Sequence, residues 1–206
     1  MTRAAADQKA DTPIKKCYSL TERPGHLRLY GNCYDLTSPE SPALLLRKQA
    51  RYSETFRAKM SFNPSRLGYE SGVALWWNQY SFATIGIGMV EPSEGAETVR
   101  TVIAREPTGK NGQLKVSYPL LASGVKFGAD DTVQLTIDAT SAAYRLTLSV
   151  GEVSATVTFA AETMTIMPPV GGTFAGTMFG IYAFGRSEPV LDPADFWDIE
   201  IVDRSK

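Results

Sequence analysis

Two apolar runs, rich in aromatic and β-branched residues, meet at the polar pair Asn78-Gln79 within the stretch from Glu70 to Ile87. Runs of this kind, joined by a short polar link, are typical of the two strands of a β-hairpin. The stretch holds two of the three Trp residues of the chain, Trp76 and Trp77. We therefore expect a hairpin at the centre of a sheet, whose aromatic cluster either fills a core or lines a binding surface.

Short alternating segments recur along the rest of the chain. Residues 133–139 and 144–150 alternate apolar and polar side chains, and 153–159 follows after a short turn, which predicts an antiparallel meander. Asn111-Gly112 predicts a further hairpin turn. Roughly a dozen short strands, with no convincing stretch of helical period, predict an all-β fold built as a two-sheet antiparallel β-sandwich or jelly roll.

The N-terminal segment differs from the rest of the chain. Residues 1–13 are mostly polar, which predicts a flexible tail ahead of a single domain over residues 14–206. They lack the apolar segment of a secretory signal, which predicts a cytoplasmic protein, or a secreted one if the N-terminus was trimmed. No apolar run approaches the roughly 18 residues of a spanning helix. The formal net charge of −1 gives no electrostatic reason to expect nucleic acid or a membrane as a partner.

The sequence provides little for metal or nucleotide chemistry. Cys17 and Cys33 lie 16 positions apart and His26 is the only histidine, so a zinc site is not expected. We expect both cysteines to be free, with a disulfide in an oxidising compartment as the alternative. The chain contains no Gly-rich phosphate loop, which argues against nucleotide chemistry.

No catalytic residue can be assigned from the sequence. His26 stands at the start of a predicted strand, where a single histidine is more typical of a structural residue than of a base. Asp198 and Glu200 would point to one face of a strand, as the paired acids of a glycosidase require, but a solvated terminal strand explains the same pattern. Glu70 beside the Trp pair is another candidate acid, with the same simpler explanation.

A carbohydrate-binding site needs aromatic side chains that stack on the apolar faces of sugar rings and planar polar side chains that bind the hydroxyl groups. The central stretch supplies Trp76 and Trp77 with the polar residues that follow them, and a neighbouring predicted strand carries Arg47 and Gln49. Because adjacent residues of a strand point to opposite faces, only one of the two Trp side chains faces the core. We expect the other to wall a groove beside Arg47 and Gln49, with core packing of both Trp residues as the alternative.

A series of short motifs adds a family resemblance. They are Tyr18-Ser19-Leu20, Arg23-Pro24-Gly25, Leu27-Arg28-Leu29, Leu45-Leu46-Arg47-Lys48-Gln49, Gly72-Val73-Ala74-Leu75, Gly180-Ile181-Tyr182-Ala183 and Pro193-Ala194-Asp195-Phe196. In order and spacing the chain resembles, over nearly its whole length after Ile14, the C-terminal concanavalin A-like domain of glycoside hydrolase family 43 β-xylosidases. The resemblance implies a β-sandwich of two curved antiparallel sheets.

The resemblance also implies an accessory role. In that family the sandwich follows a five-bladed propeller with the catalytic carboxylates, and is regarded as an accessory or xylan-binding module that can help wall the active site. The propeller has no counterpart in this sequence, so the catalytic acids do not carry over, whereas the family's polar positions carry over to Arg47 and Gln49. We expect no cofactor; such sandwiches sometimes hold a structural calcium ion, but the sequence singles out no set of oxygen ligands.

Two functions stay open at this point. The first is a non-catalytic, lectin-like domain that binds carbohydrate such as xylan or xylo-oligosaccharide. The second is a stand-alone enzyme on the same sandwich, such as an isomerase or cyclase acting on a small apolar metabolite. An oligosaccharide or small-molecule ligand is therefore expected. The predicted ligand-binding residues are Arg47, Gln49, Glu70, Trp76, Trp77, Asn78, Tyr80 and Tyr182.

Overall fold

The computed structural model describes residues 17–110, 112–125, 127–128, 131–165 and 176–204. Thirteen strands and one short 3-10 helix, Ala161–Thr165, make up its regular structure, and these ranges contain no α-helix. The all-β prediction is confirmed. The predicted tail, residues 1–13, lies outside the described residues.

The strands follow one another in short steps along the chain. They are β1 (Tyr18–Ser19), β2 (Leu27–Leu29), β3 (Ala43–Lys48), β4 (Glu54–Ser61), β5 (Glu70–Asn78), β6 (Ser81–Val90), β7 (Val99–Pro107), β8 (Leu114–Ser117), β9 (Thr132–Ala139), β10 (Ala143–Val150), β11 (Val153–Ala160), β12 (Met178–Phe184) and β13 (Ala194–Asp203).

Two antiparallel sheets contain all of these strands. One sheet has seven strands in the order β1-β2-β13-β4-β9-β10-β11, and the other has six in the order β3-β12-β5-β6-β7-β8. The hairpin predicted from the aromatic stretch is β5–β6, although its turn falls at Gln79-Tyr80, one residue later than predicted. The predicted meander is β9–β10–β11.

The main core lies between the two sheets. Strand alternation sends every second side chain inward, and each fully buried Leu, Ile or Val contributes about 1.5–3 kcal/mol. The six-stranded sheet contributes Val73, Leu75, Ile85, Ile87 and Phe179, and the seven-stranded sheet contributes Phe56, Met60, Leu135, Ile137, Leu146 and Leu148. Each sheet therefore has one outer face that does not pack against the other sheet. These outer faces are accessible to a ligand.

Two smaller predictions concern cysteine and the membrane. Both Cys17 and Cys33 are half-buried free thiols. Within the described residues, no helix has the length and apolar character needed to cross a membrane.

A buried carboxylate joins β2 to β13. Asp195 receives hydrogen bonds from Arg28 (Nε to Oδ1, 2.8 Å) and from Arg23 (Nη1 to Oδ2, 2.7 Å), and only 6% of its side chain is exposed. Burial alone would raise the pKa of Asp195, but hydrogen bonds from Arg28 and Arg23 outweigh it, so the pKa is lowered.

Asp195→Asn is therefore expected to lower the free energy of unfolding by about 2 kcal/mol at neutral pH, because the charged hydrogen bonds are lost. The carboxyl titrates near 3.9 in the unfolded chain and lower in the folded protein, so its contribution to stability is complete above about pH 5 and disappears as the pH falls through the folded pKa. Urea unfolding of both proteins between pH 2 and 7 measures the difference in unfolding free energy and its dependence on pH.

A matched control uses a surface pair. Glu188→Gln removes the exposed pair between Glu188 and Arg66, 3.2 Å apart, and should change the unfolding free energy by less than about 1 kcal/mol. If the Asp195→Asn difference were as small, or did not shrink on acidification, the proposed role of Asp195 would be contradicted.

Candidate functional site

The tandem Trp residues separate onto the two faces of the six-stranded sheet. Trp77 packs against the main core, whereas Trp76 lies on the outer face and stacks on Phe82 with 5.4 Å between ring centroids. The outer face carries a second, smaller apolar cluster, to which a loop contributes Leu36 and β12 contributes Tyr182. The alternation inferred from the sequence thus holds, but part of the outer face is itself covered.

Glycines make room for Tyr182 on this outer face. In the register of the sheet, Tyr182 on β12 pairs with Gly72 on β5, and Gly72 pairs with Gly86 on β6. A Cβ atom on Gly86 would lie 2.8 Å from the Tyr182 hydroxyl. Because neither glycine has a side chain, the Tyr182 ring crosses β5 and carries its hydroxyl to a carboxylate near the start of that strand.

That carboxylate belongs to Glu70, and both of its oxygens accept hydrogen bonds. Both Glu70 oxygens accept from Arg105 on β7, through Nη1 to Oε1 and through Nη2 to Oε2 at 2.8 Å. The Tyr182 hydroxyl donates to Oε1 at 2.6 Å, and Arg105 Nη1 also donates to Thr84 Oγ1 at 3.4 Å. We call Glu70, Arg105 and Tyr182 the buried triad.

The electrostatics of the buried triad follow from its burial and pairing. Burial alone would lower the pKa of Arg105, but the charge of Glu70 outweighs it and the pKa is raised. Burial raises the pKa of Tyr182 well above its ordinary value, and the negative charge of Glu70 adds to the effect. Arg105 is therefore a permanent cation and Tyr182 a permanent hydrogen-bond donor over the physiological range.

An open cleft of about 370 Å³ lies over the buried triad at one end of the outer face. We call it the Arg105 cleft. Its wall includes Leu67, Met89, Glu91, Arg105, Tyr118 and Arg186. Arg105 keeps 16% of its side chain exposed while its guanidinium lies 5.6 Å from the centre of the Phe184 ring. Tyr118 is 42% exposed and Leu67 50%. The cleft thus combines a fixed cation, an exposed aromatic ring and apolar surface.

Of the predicted ligand-binding residues, Glu70 alone lines this cleft. Tyr182 lies beneath it as part of the buried triad. Trp76 is on the same face but six residues along β5 from Glu70, which places it about 20 Å away at the rise of a strand. Trp77 points to the opposite face.

Arg47 and Gln49 do not lie beside Trp76. Gln49 accepts hydrogen bonds from Tyr144 at 3.0 Å and Thr177 at 2.7 Å, so it ties the two sheets together. Arg47 lines a hollow of about 230 Å³ at an open edge between the sheets. Arg47 pairs with Phe179 of the main core, whereas Trp76 faces outward, so Arg47 and Trp76 lie on opposite faces of the six-stranded sheet.

Asn78 and Tyr80 shape the β5–β6 turn. Asn78 Oδ1 accepts the Tyr80 backbone N–H at 2.8 Å, an arrangement that stabilises turns, and the strand register shifts between Trp76 and Asn78. Tyr80 is 40% exposed. These residues belong to the turn rather than to the Arg105 cleft.

Sequence reasoning missed Arg105, Tyr118 and Arg186. The strand that carries Arg105 was predicted, but its single outward arginine has no sequence signal that connects it with Glu70. The connection arises because β5, β6 and β7 are neighbours, with Arg105 opposite Thr84. Among the described residues, no group of three or more His, Cys, Asp or Glu side chains is arranged to hold a metal ion.

The acids considered for catalysis lie apart from the cleft. Asp198 and Glu200 are on the outer face of the seven-stranded sheet, where they form exposed ion pairs with Lys59 (2.8 Å) and Arg57 (3.3 Å). His26 packs at a tilt against Trp197 on that same sheet, with 4.9 Å between ring centroids.

Comparison with known proteins adds a family. The family model described as the β-xylosidase C-terminal concanavalin A-like domain matches residues 8–201. A non-reducing end α-L-arabinofuranosidase of Bacteroides ovatus is 29% identical over 184 residues, which cover 89% of this chain and 32% of that protein.

Solved structures of similar fold include members of the same glycoside hydrolase family. A family 43 protein of the Bacteroides ovatus xyloglucan locus has a TM-score of 0.70 and 28% identity, covering 90% of this chain and 34% of the other. A xylan β-1,4-xylosidase from Bacillus halodurans has a TM-score of 0.68 and 24% identity, covering 87% and 33%, and at this identity the likeness concerns the fold alone. The chain spans about one third of the length of these relatives.

Proposed function

Because the chain belongs to the family of β-xylosidase C-terminal concanavalin A-like domains, we propose that it is a non-catalytic accessory domain that binds carbohydrate in the Arg105 cleft. The observation that carries this proposal is the cleft itself, in which an anchored guanidinium lies in the same open hollow as an exposed tyrosine ring. Its volume of about 370 Å³ falls within the usual range of small-ligand sites.

The chemistry of the cleft suits a sugar ring. The exposed Tyr118 ring and the Leu67 side chain offer apolar surface for the C–H face of a ring. Arg105 is held in place by two bonds to Glu70, so it meets a ligand hydroxyl without first losing side-chain freedom. Arg186 and Glu91 add polar groups at the wall.

The same geometry argues against hydrolysis in the cleft. A glycosidase needs one carboxyl group to donate a proton and a second as base or nucleophile. Glu70 accepts hydrogen bonds from Arg105 and Tyr182, which occupy both of its carboxylate oxygens. Glu91 Oε1 accepts the backbone N–H of Gly95 at 2.6 Å. Glu70 is therefore an anchor for Arg105 rather than an acid.

The ligand class follows from the relatives. The similar proteins are named as an α-L-arabinofuranosidase and a xylan β-1,4-xylosidase, so we propose glycans that contain xylose or arabinose. The alternative of an isomerase or cyclase for an apolar metabolite is not favoured, because the family match is to a domain of β-xylosidases and the cleft is open and lined by charged groups.

Calorimetric titration with xylo-oligosaccharides tests the proposal. We expect Tyr118→Ala to weaken binding in the cleft by about tenfold, which corresponds to about 1.4 kcal/mol and to the loss of one aromatic contact. Tyr52→Ala is a matched control, because Tyr52 is 80% exposed and does not line the cleft. Equal affinity of both variants would place the ligand elsewhere, and no heat at millimolar sugar would contradict carbohydrate binding.

A further inference from the structure

A β-bulge interrupts β13 on the sheet opposite to the Arg105 cleft. Trp197 pairs with Lys59 and Glu200 pairs with Arg57, so β13 has one residue more than β4 between these two pairs. The extra residue is accommodated at Asp198, whose φ of 49° is in the left-handed region that side chains with a Cβ avoid. Bulges re-aim side chains, and here the bulge places an acidic side chain next to an aromatic ring.

The aromatic ring has a polar neighbour with a free acceptor. Trp197 is half-buried and contacts His26, whose ring is inclined by 58° to the indole ring. His26 Nδ1 lies 3.0 Å from the Pro24 carbonyl oxygen, which can only accept, so Nδ1 carries the proton. In the neutral ring Nε2 is then an acceptor, and it has no hydrogen-bond partner within the part of the chain that the structure describes.

Two adjoining shallow depressions of the surface meet at the bulge. One, of about 370 Å³, is lined by His26, Trp197 and the exposed side chain of Leu20, and the other, of about 740 Å³, by Arg57 and Lys59. Both include Asp198 and Ile199. The charges around them form ion pairs that leave no net charge, which disfavours a charged polymer.

We propose that this surface, formed by His26, Trp197 and Asp198, is a second saccharide-binding site. A sugar ring lies against Trp197, and its hydroxyl groups donate to the Asp198 carboxylate and to Nε2 of His26. Aromatic surface combined with a few convergent polar groups is the composition expected of a small-ligand site. The second site goes beyond the proposed function because it lies on the other sheet and shares no residue with the Arg105 cleft.

Two sites on opposite sheets have a measurable consequence. A glycan long enough to reach both faces binds the protein at two sites at once. In insoluble xylan, one domain can likewise bind two neighbouring glycan chains. Insoluble xylan is therefore expected to retain the protein more strongly than the affinity for short xylo-oligosaccharides alone would give, and loss of either site removes this gain.

The test is the number of xylotetraose molecules bound per chain, measured by calorimetry and by Trp fluorescence. We expect two for the unmodified protein and one for Trp197→Ala. Asp198→Gly is the second variant: glycine accepts the positive φ, so the fold is preserved while the carboxylate is lost, and affinity at this site should fall about tenfold. Thr158→Ala, an exposed position on the same sheet, is the control and should bind two.

The outcomes separate the second site from the cleft. If Trp197→Ala and Asp198→Gly both bind as the unmodified protein does, the second site is overturned, and the cleft is judged by Tyr118→Ala alone. If those two variants lose one site while Tyr118→Ala loses none, the second site stands and the cleft assignment fails. Absence of binding by the unmodified protein overturns both.

Discussion

Replacement of Glu70 by alanine is expected to lower the free energy of unfolding by about 3–5 kcal/mol, because it leaves the guanidinium of Arg105 without its counter-charge in a largely buried position. Arg105 and Glu70 expose only 16% and 3% of their side chains. The Tyr182 hydroxyl loses its acceptor in the same variant. Urea unfolding followed by Trp fluorescence measures the change.

The matched double variant separates the unpaired charge from the other losses. Glu70→Ala with Arg105→Met removes both charges, and it should be more stable than Glu70→Ala alone, since a buried pair replaced by apolar groups often costs little. Arg51→Ala removes an exposed pair with Asp203, 2.9 Å apart, and should change the unfolding free energy by less than about 1 kcal/mol. A Glu70→Ala effect as small as that of Arg51→Ala would show that the buried triad does not stabilise the sheet.

Gly86→Ala is expected to lower the free energy of unfolding by about 3 kcal/mol, at the upper end of the range for overpacked positions. A Cβ atom at this position would lie 2.2 Å from the Ser71 carbonyl oxygen and 2.8 Å from the Tyr182 hydroxyl. The backbone of β5 cannot retreat without disturbing its pairing with β6, and Tyr182 cannot move without releasing Glu70. Thermal and urea unfolding both report the loss.

The control for this substitution is Gly95→Ala. Gly95 has a φ of 78°, and an added Cβ would meet nothing within 4 Å, so alanine there costs only the left-handed backbone conformation, about 1–2 kcal/mol. If Gly86→Ala were no worse than Gly95→Ala, the close approach of Tyr182 over Gly86 would be contradicted.

The sequence predicts the sheets better than it predicts the site. Period-two alternation is a local property, so the strands around Val133, Tyr144 and Trp76 could be identified without knowing their neighbours. The same alternation correctly separated Trp76 from Trp77. The number of short strands predicted a sandwich, the family resemblance identified it as concanavalin A-like, and the family match over residues 8–201 confirms this fold.

The Arg105 cleft could not be predicted from the sequence because it depends on which strands are adjacent in the sheet. Glu70 and Arg105 are 35 positions apart and meet only across β6, where Gly86 leaves space between them. The bulge at Asp198 could not be predicted for a related reason. In a regular strand Asp198 would point to the face opposite Trp197, and only the extra residue in β13 brings the two side chains to the same face. Strand order and register thus determine both sites.

The most direct test of the central claim is to record amide NMR spectra of the protein during titration with xylo-oligosaccharides. Binding in the Arg105 cleft predicts that the largest shift changes occur at Gly68, Met89, Ile103, Arg105, Tyr118 and Arg186, which lie around the cleft on five different segments. Shift changes confined to the seven-stranded sheet, or no change at millimolar sugar, would contradict carbohydrate binding in this cleft.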